Sequence, residues 1–197
     1  MSGTTTDRDL RILAISGSLR AASHNTALLR AAQKMQQGGL DIEIYDGLRA
    51  IPAYDLDLDA PGLWPAPVAD LRRRVTEADG LLIATPEFNY GVPGVLKNAL
   101  DWASTDWAGT GEVPLRGKPT AVLGASPSHF GSVRAQLALR QVLLGTRTDV
   151  VTSPEVTVMR SHERFDDNGN LTDEVTADLL RDLLSALADK VRRSVVH

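Results

Sequence analysis

Two polar segments of this chain carry residue types suited to binding an anion and a flat heteroaromatic ring. The first, the phosphate loop, spans residues 16–26 and contains hydroxyls, a guanidinium and a carboxamide at Ser18, Arg20, Ser23, Asn25 and Thr26. Such groups, with the free amides at a helix start, favour a bound anion. The spacing matches neither G-x-G-x-x-G nor G-x-x-x-x-G-K-[ST], which disfavours a tightly held pyrophosphate or triphosphate and leaves a monophosphate. An ordinary helix cap at Ser23 with a solvated Arg20 is the alternative.

The second segment, the ring loop, contains Pro86, Glu87, Phe88, Asn89 and Tyr90. It follows the apolar run 81–84, which is typical of a buried parallel strand, and precedes a helical pattern opened by Pro93. The loop combines backbone amides, a carboxylate, a carboxamide, an aromatic ring and a phenol, which suits a flat heteroaromatic ligand. Pro86 and Pro93 restrict the backbone on both sides, so the donors and acceptors are partly fixed before a ligand binds.

Composition excludes several classes of function. The 197 residues contain no cysteine, which excludes disulfides, thiolate nucleophiles and cysteine-bound metals, and the four histidines lack metal-ligand spacing, so we predict no metal site. The formal charge of −4 argues against a nucleic-acid or anionic-membrane surface. No apolar run approaches the roughly 20 residues of a membrane span, so we expect a cytoplasmic protein.

Strand and helix patterns alternate about five times along the chain. Strands are predicted at residues 10–16, 40–45, 80–85 and 119–124, with a broken fifth strand at 150–151 and 156–158. Helices are predicted at 23–37, 68–78, 93–104 and 131–145, with a last helix that Thr172 caps. This alternation predicts an α/β fold with a parallel sheet covered on both faces. Residues 1–9 are expected to form a flexible segment, and residues 10–197 one domain.

The two loops resemble motifs of the NAD(P)H-dependent FMN reductases, a flavodoxin-like family that includes quinone, azo-dye and chromate reductases. Residues 86–102 match P-E-[YF]-N-x-x-x-P-G-x-L-K-N-A-[IL]-D-W at each position, with Phe88 where Tyr is commoner. Within the phosphate loop, the motif G-S-x-R-x-x-S-x-N is matched at Gly17, Ser18, Arg20, Ser23 and Asn25. A third segment, 124–136, resembles the family's G-x-x-G-G-x-R-A-Q, but His129, Phe130 and Ser132 replace smaller residues.

The resemblance implies a flavodoxin-like, doubly wound five-stranded sheet in the order 2-1-3-4-5, with FMN bound at the carboxyl ends of the strands. It implies NADPH or NADH as reductant, a small-molecule electron acceptor, and a homodimer or homotetramer. The phosphate loop would hold the FMN phosphate, while the ring loop, Ser126 and Pro127 would hold the flavin ring. We predict no catalytic side chain, because hydride transfer from nicotinamide to flavin needs no protein base in its first step. The apolar excess in helix 131–145 is consistent with a subunit interface.

Two alternatives to a reductase stay open at this point. A non-catalytic flavodoxin-like electron carrier or regulatory flavin-binding protein would use the same loops but would need a partner reductase. A phosphate-binding α/β domain without flavin would leave the ring loop unexplained. The choice between NADPH and NADH is also open, since Arg20, Arg116 and Arg134 are each conceivable contacts for a 2′-phosphate.

Several charged residues have ordinary structural interpretations. Glu87 is expected to form a surface salt bridge, with Lys97 as its candidate partner, rather than to act as an acid or base. Residues 72–74, three consecutive arginines, are expected on a solvated helix face. His129 is a candidate contact for a substrate or a phosphate, and equally a partly exposed structural histidine.

Overall fold

The computed structural model describes residues 8–107, 109 and 111–195. Most of the segment predicted to be flexible, residues 1–7, lies outside the described residues, and so does His197.

Six strands and five α-helices alternate along the described chain. The strands are β1 (Leu10–Ser16), β2 (Leu40–Ile44), β3 (Gly80–Ala84), β4 (Pro119–Ala125), β5 (Asp149–Val150) and β6 (Val156–Val158). The helices are α1 (His24–Met35), α2 (Ala66–Glu77), α3 (Gly94–Ser104), α4 (Val133–Gly145) and α5 (Glu174–Val195).

The strands form one parallel sheet in the order β2-β1-β3-β4-β5, which confirms the predicted flavodoxin-like fold. The predicted break in the fifth strand is also confirmed, because β5 and β6 both pair with β4 at successive positions along it. The central strands β3 and β4 are buried along their whole length. Such strands need helices on both faces.

The helices cover the sheet on both sides and enclose two hydrophobic cores. One core joins alternate side chains of the sheet to α1 and α5, represented by Leu28 and Leu184. The other joins the opposite face to α2, α3 and α4, represented by Val75, Leu100 and Leu139. Among the described residues no helix is both long and apolar enough to cross a bilayer.

The cap of α5 differs from the prediction by one residue. Asp173, not Thr172, accepts hydrogen bonds from the amide of Thr176 at 3.0 Å and from its hydroxyl at 2.6 Å. Thr172 instead pairs with the carbonyl of Arg164. These hydrogen bonds and the nearby Arg164 hold the pKa of the Asp173 carboxyl below its usual range. Both residue types cap helices well, so the sequence alone did not distinguish them.

The predicted solvated arginine face is wrong at its first position. Arg72 is buried and donates to the carbonyls of Trp102, Thr105 and Glu112, while its guanidinium lies 4.3 Å from the centroid of the Trp64 ring. Arg73 remains on the surface. Arg72 therefore connects α2 to the end of α3 and to the loop that follows α3. The local pattern of charges in the sequence does not indicate these contacts.

Candidate functional site

The three central strands run in register to the same edge of the sheet, where β1 and β3 end level and β4 continues for two more residues. Ser16 of β1 pairs with Ala84 of β3, and Ala84 pairs with Leu123 of β4. Two backbone hydrogen bonds continue these pairings beyond the strands, from Gly17 N to Ala84 O at 2.8 Å and from Thr85 N to Leu123 O at 2.9 Å. The phosphate loop, the ring loop and the third loop (residues 126–132) therefore leave the sheet side by side.

The phosphate loop packs directly on the ring loop through a glycine. A Cβ atom on Gly17 would lie 2.9 Å from Leu96 Cδ2 and 3.3 Å from Pro86 Cδ. A side chain would therefore push the two loops apart. This close approach explains why the motif begins with glycine at this position.

The phosphate loop gathers hydroxyls around the start of α1. Ser23 caps the helix by accepting from the amide of Thr26 at 3.4 Å, which is the contact expected under the alternative interpretation of a helix cap. The hydroxyl of Thr26 donates to Ser16 Oγ at 2.9 Å, and Ser18 Oγ accepts from the amide of Arg20 at 3.4 Å. Arg20 is exposed, and among the described residues no carboxylate pairs with its guanidinium. The loop thus presents an uncompensated cation beside a helix N-terminus, which is suited to an anion.

Asn25 lies inside the protein, 3% exposed, where it joins the phosphate loop to β4. Its Nδ2 donates to the carbonyl of Ala125 at 2.9 Å, and its Oδ1 accepts from the amide of Ala125 at 2.9 Å. Both halves of the carboxamide are therefore used by the last residue of β4. Asn25 therefore fixes the phosphate loop to the end of β4.

His24 links the phosphate loop to the segment after β6. Its Nδ1 lies 2.8 Å from the buried hydroxyl of Ser161, and its ring stacks on Phe165 with centroids 5.0 Å apart. Burial of the imidazole, and then the charges of Arg20 and His162, lower the pKa of His24 below its usual value. Ser161 also contacts the loop that follows β4, because its backbone amide donates to the carbonyl of Ser126 at 3.0 Å.

The ring loop is a two-residue hairpin that projects its side chains outward. Phe88 and Gly91 exchange backbone hydrogen bonds, and the two residues between them, Asn89 and Tyr90, have φ angles of +49° and +66°. Asparagine tolerates this left-handed conformation, whereas for tyrosine it is strained. Phe88, Asn89 and Tyr90 are exposed, while Pro86 is buried. The turn thus exposes two aromatic residues and a carboxamide residue at its tip.

Glu87 does not pair with Lys97, so that prediction is wrong. Lys97 pairs with Asp101 at 2.6 Å on α3. Glu87 instead accepts from Arg134 Nε at 2.6 Å and from the Arg134 amide at 3.0 Å. The two residues are 47 positions apart, so the sequence offered no local indication of this pair.

The third loop completes the site edge. Ser126 Oγ accepts from the amide of Ser128 at 3.2 Å, so this hydroxyl helps to shape its own loop. Pro127, His129 and Phe130 are exposed. The predicted residues Ser126 and Pro127 therefore lie in the loop that adjoins the ring loop, whereas Arg116, before β4, belongs to the opposite edge of the sheet.

The structure adds His24 and Ser161 to the site, and it gives residues already named in the motifs contacts that the sequence analysis did not predict. His24, Ser161 and Gly17 hold the loops together, and Phe130 and Tyr90 both contact Arg134. The resemblance of the third segment to the family motif had included Arg134, but it did not indicate that Glu87 is the partner of Arg134. Within the described part of the chain, no three acidic or histidine side chains converge on a position that would hold a metal ion.

The sheet order defines a flavodoxin-like protein, and the three loops lie at the switch point between β1 and β3, where ligands bind in such sheets. A family model described as NADPH-dependent FMN reductase matches residues 10–163. The chain is 44% identical over 185 residues to an NAD(P)H-dependent FMN reductase of Pseudomonas aeruginosa, covering 94% of this chain and 97% of that protein. It is 39% identical over 186 residues to an NADPH:quinone oxidoreductase of Arabidopsis thaliana, covering 90% of each.

Structural comparison agrees with these sequence matches. The flavoenzyme NAD(P)H:(acceptor) oxidoreductase FerB from Paracoccus denitrificans superposes with a TM-score of 0.82 at 34% identity, covering 93% of this chain and 98% of that one. The chain therefore belongs to the NADPH-dependent FMN reductase family. It is an oxidoreductase, which confirms the enzyme prediction, and the family uses FMN and NAD(P)H.

The residues at this edge fit FMN chemically. A phosphate requires N–H and O–H donors and a cation, which the start of α1 and Arg20 supply. A flavin ring presents acceptors and a donor along one edge, which the carboxamide of the exposed Asn89 can pair with. The close contact of Gly17 with Pro86 places the two donor sets in adjacent loops, as one mononucleotide requires.

The lowered pKa of His24 gives a pH-dependent stability. Protonation is disfavoured in the folded state, so stability is greatest above the ordinary histidine pKa of about 6.5 and falls as the pH drops below it. We expect His24→Phe to remove this part of the decline between about pH 7.5 and about pH 5.5, measured as the free energy of unfolding in urea. The exposed His162→Gln serves as the control and should retain most of the decline. Parallel pH dependences for wild type and His24→Phe would contradict the assignment.

Proposed function

We propose that the three loops bind one FMN and that the protein passes reducing equivalents from NAD(P)H to a quinone, a free flavin or a similar small acceptor. Ser18, Arg20, Ser23 and Thr26 would hold the phosphate, with Asn25 fixing their loop. The ring would be held by the ring loop, Pro86, Glu87, Phe88, Asn89 and Tyr90, and by Ser126 and Pro127. The observation that carries the proposal is the close approach of Gly17 to Pro86, where a Cβ atom on Gly17 would lie 3.3 Å from Pro86 Cδ. This approach supports a single ligand spanning both loops.

Bound FMN would supply the redox chemistry, accepting a hydride from reduced nicotinamide and giving electrons to the acceptor. The chain contributes binding and orientation, and we assign no side chain to proton transfer. The hairpin presents fixed backbone donors, and the exposed rings of Phe88, Tyr90 and Phe130 provide flat apolar surfaces beside the ring loop. Planar substrates such as nicotinamide and quinones suit such surfaces.

Quinones are favoured as acceptors because the relatives from Arabidopsis thaliana and Escherichia coli are named quinone reductases. We assign none of the three candidate arginines to a 2′-phosphate on the reductant, because Arg20 is already assigned to the FMN phosphate. Arg134 is already paired with Glu87, and Arg116 belongs to the opposite edge. We further propose that residues 10–197 form one domain and that the protein works in the cytoplasm, where reduced nicotinamide is available.

The proposal predicts a yellow protein or one that takes up FMN. Purified protein with FMN should oxidise NADPH or NADH when a benzoquinone is added, followed as loss of nicotinamide absorbance. A carrier without enzymatic activity would bind FMN but would need a separate reductase. Failure to bind FMN together with no quinone-dependent oxidation of either nicotinamide would refute the proposal.

Arg20 gives a test of the phosphate assignment. We expect Arg20→Ala to weaken FMN binding by about tenfold to a hundredfold, since it removes charge-assisted hydrogen bonds to the phosphate. Binding of riboflavin, which lacks the phosphate, should change little. Fluorescence quenching measures both affinities, with the exposed Arg30→Ala on α1 as the matched control. Equal losses for FMN and riboflavin would rule out a phosphate contact.

We also propose that the protein forms a homodimer, or a homotetramer built from dimers, through α4. Val133, Leu137 and Leu144 are 41%, 55% and 76% exposed, and their spacing places them on one face of the helix. This apolar face lies next to the exposed Phe130 at the start of the helix. A contiguous exposed apolar stripe of this kind is typical of an interface.

Light scattering after size-exclusion chromatography tests the interface. Wild type should have at least twice the mass of the chain, and Leu137→Glu should shift it towards the monomer, because a carboxylate would be buried in the contact. Val175→Glu, at a position 69% exposed on α5, is the control and should not change the mass. A wild-type monomer would contradict this part of the proposal.

A further inference from the structure

We propose that Glu87 is a positioning residue that sets the gap between the ring loop and the third loop, acting through Arg134 and the first turn of α4. The inference rests on the proposed function, because that gap is where the flavin ring is assigned. It gives Glu87 a role in ring binding that involves no proton transfer.

Both carboxylate oxygens of Glu87 are occupied by donors from α4. Oε1 lies 2.6 Å from Arg134 Nε and 2.5 Å from a terminal nitrogen of the same guanidinium. Oε2 accepts from the amide of Arg134 at 3.0 Å and from the amide of Ala135 at 3.4 Å. The Glu87 side chain is only 6% exposed, so this is a shielded ion pair rather than a surface one.

Within its own sequence α4 has no substitute for this cap. Ser132, at the N-cap position, makes no side-chain bond to the helix amides, because its buried hydroxyl accepts from Gln136 Nε2 at 3.1 Å. The first turn of α4 contains no acidic residue. A carboxylate from the ring loop therefore satisfies the free amides and interacts favourably with the helix dipole. This contact fixes the base of the ring loop to the helix into which the third loop leads.

The same guanidinium contacts one aromatic ring from each loop. Arg134 Cζ lies 3.8 Å from the ring centroid of Tyr90 and 4.8 Å from that of Phe130. These rings are 70% and 64% exposed, so contacts to Arg134 rather than burial hold them in place. The position of Tyr90 also matters because its backbone is strained, with φ at +66°. One carboxylate thus orients the cation that orients both rings at the edge of the gap.

The proposal makes a prediction that separates ring positioning from phosphate binding. Glu87→Gln keeps the size of the side chain and an oxygen acceptor but removes the ion pair. We expect this variant to weaken the binding of FMN and of riboflavin by the same factor, about tenfold or more, because the change affects contacts to the ring that both ligands contain. Fluorescence quenching gives the affinities, and the visible circular dichroism of bound flavin reports the altered ring environment.

Three further variants make the test specific. Arg134→Met leaves Glu87 able to cap α4 but removes the guanidinium, so it should cause a similar loss with less effect on folding. The double variant should bind no more weakly than the weaker single variant, since both changes break one interaction. Lys97→Ala breaks an ion pair of 2.6 Å that lies within α3 and joins no loops, so it should leave both affinities unchanged.

Each contrary result has a distinct meaning. If Glu87→Gln and Arg134→Met are both less stable but bind both flavins as wild type does, Glu87 is only a helix cap and the inference is wrong. If flavin affinity is unchanged while the pH profile of turnover shifts, Glu87 acts in proton transfer and the inference is also wrong. If wild type itself binds neither flavin, the proposed function fails, which is a separate outcome.

Discussion

The structure depends on the in-register parallel pairing of β1, β3 and β4. Ser16, Ala84 and Leu123 lie level across three adjacent strands, two of which are buried along their whole length. Register is strongly specified in such strands, because a slip of one residue would exchange the side chains on the two faces. The hydrogen bonds of Gly17 and Thr85 extend the pairing into the loops. The relative positions of the loops at the carboxyl edge of the sheet are therefore determined by the packing of the core strands.

The third loop is held from both sides, and this makes the three loops one unit. On the phosphate side, Asn25 pairs with Ala125, and His24 reaches the same region through Ser161. On the ring side, Glu87 holds the start of α4. A site fixed by such contacts loses little conformational freedom when it binds a ligand, and so retains more of its interaction energy as affinity. The polar residues that do this are buried behind the loops, while the exposed ones are left for ligands.

Most of the fold was predictable from local patterns, since the strands are apolar runs and the helices follow amphipathic patterns that alternate with them. The strand order was not, and it came from the resemblance of the loop motifs to a known family. The site was predicted as two loops, and the structure places them in contact. Two of the errors share one cause, because Glu87 and Arg72 have partners 47 and 30 positions away that tertiary packing selects and that residue type does not identify. The third error is local, because Thr172 and Asp173 are adjacent and both residue types cap helices.

A crystal structure of the protein with FMN tests the central claim most directly, because it shows whether one mononucleotide spans both loops. The account predicts the phosphate at the start of α1, in contact with Ser18, Arg20 and Ser23, and the ring between residues 86–90 and Ser126. A ring bound away from the ring loop, or a phosphate held elsewhere than at Arg20, would contradict it.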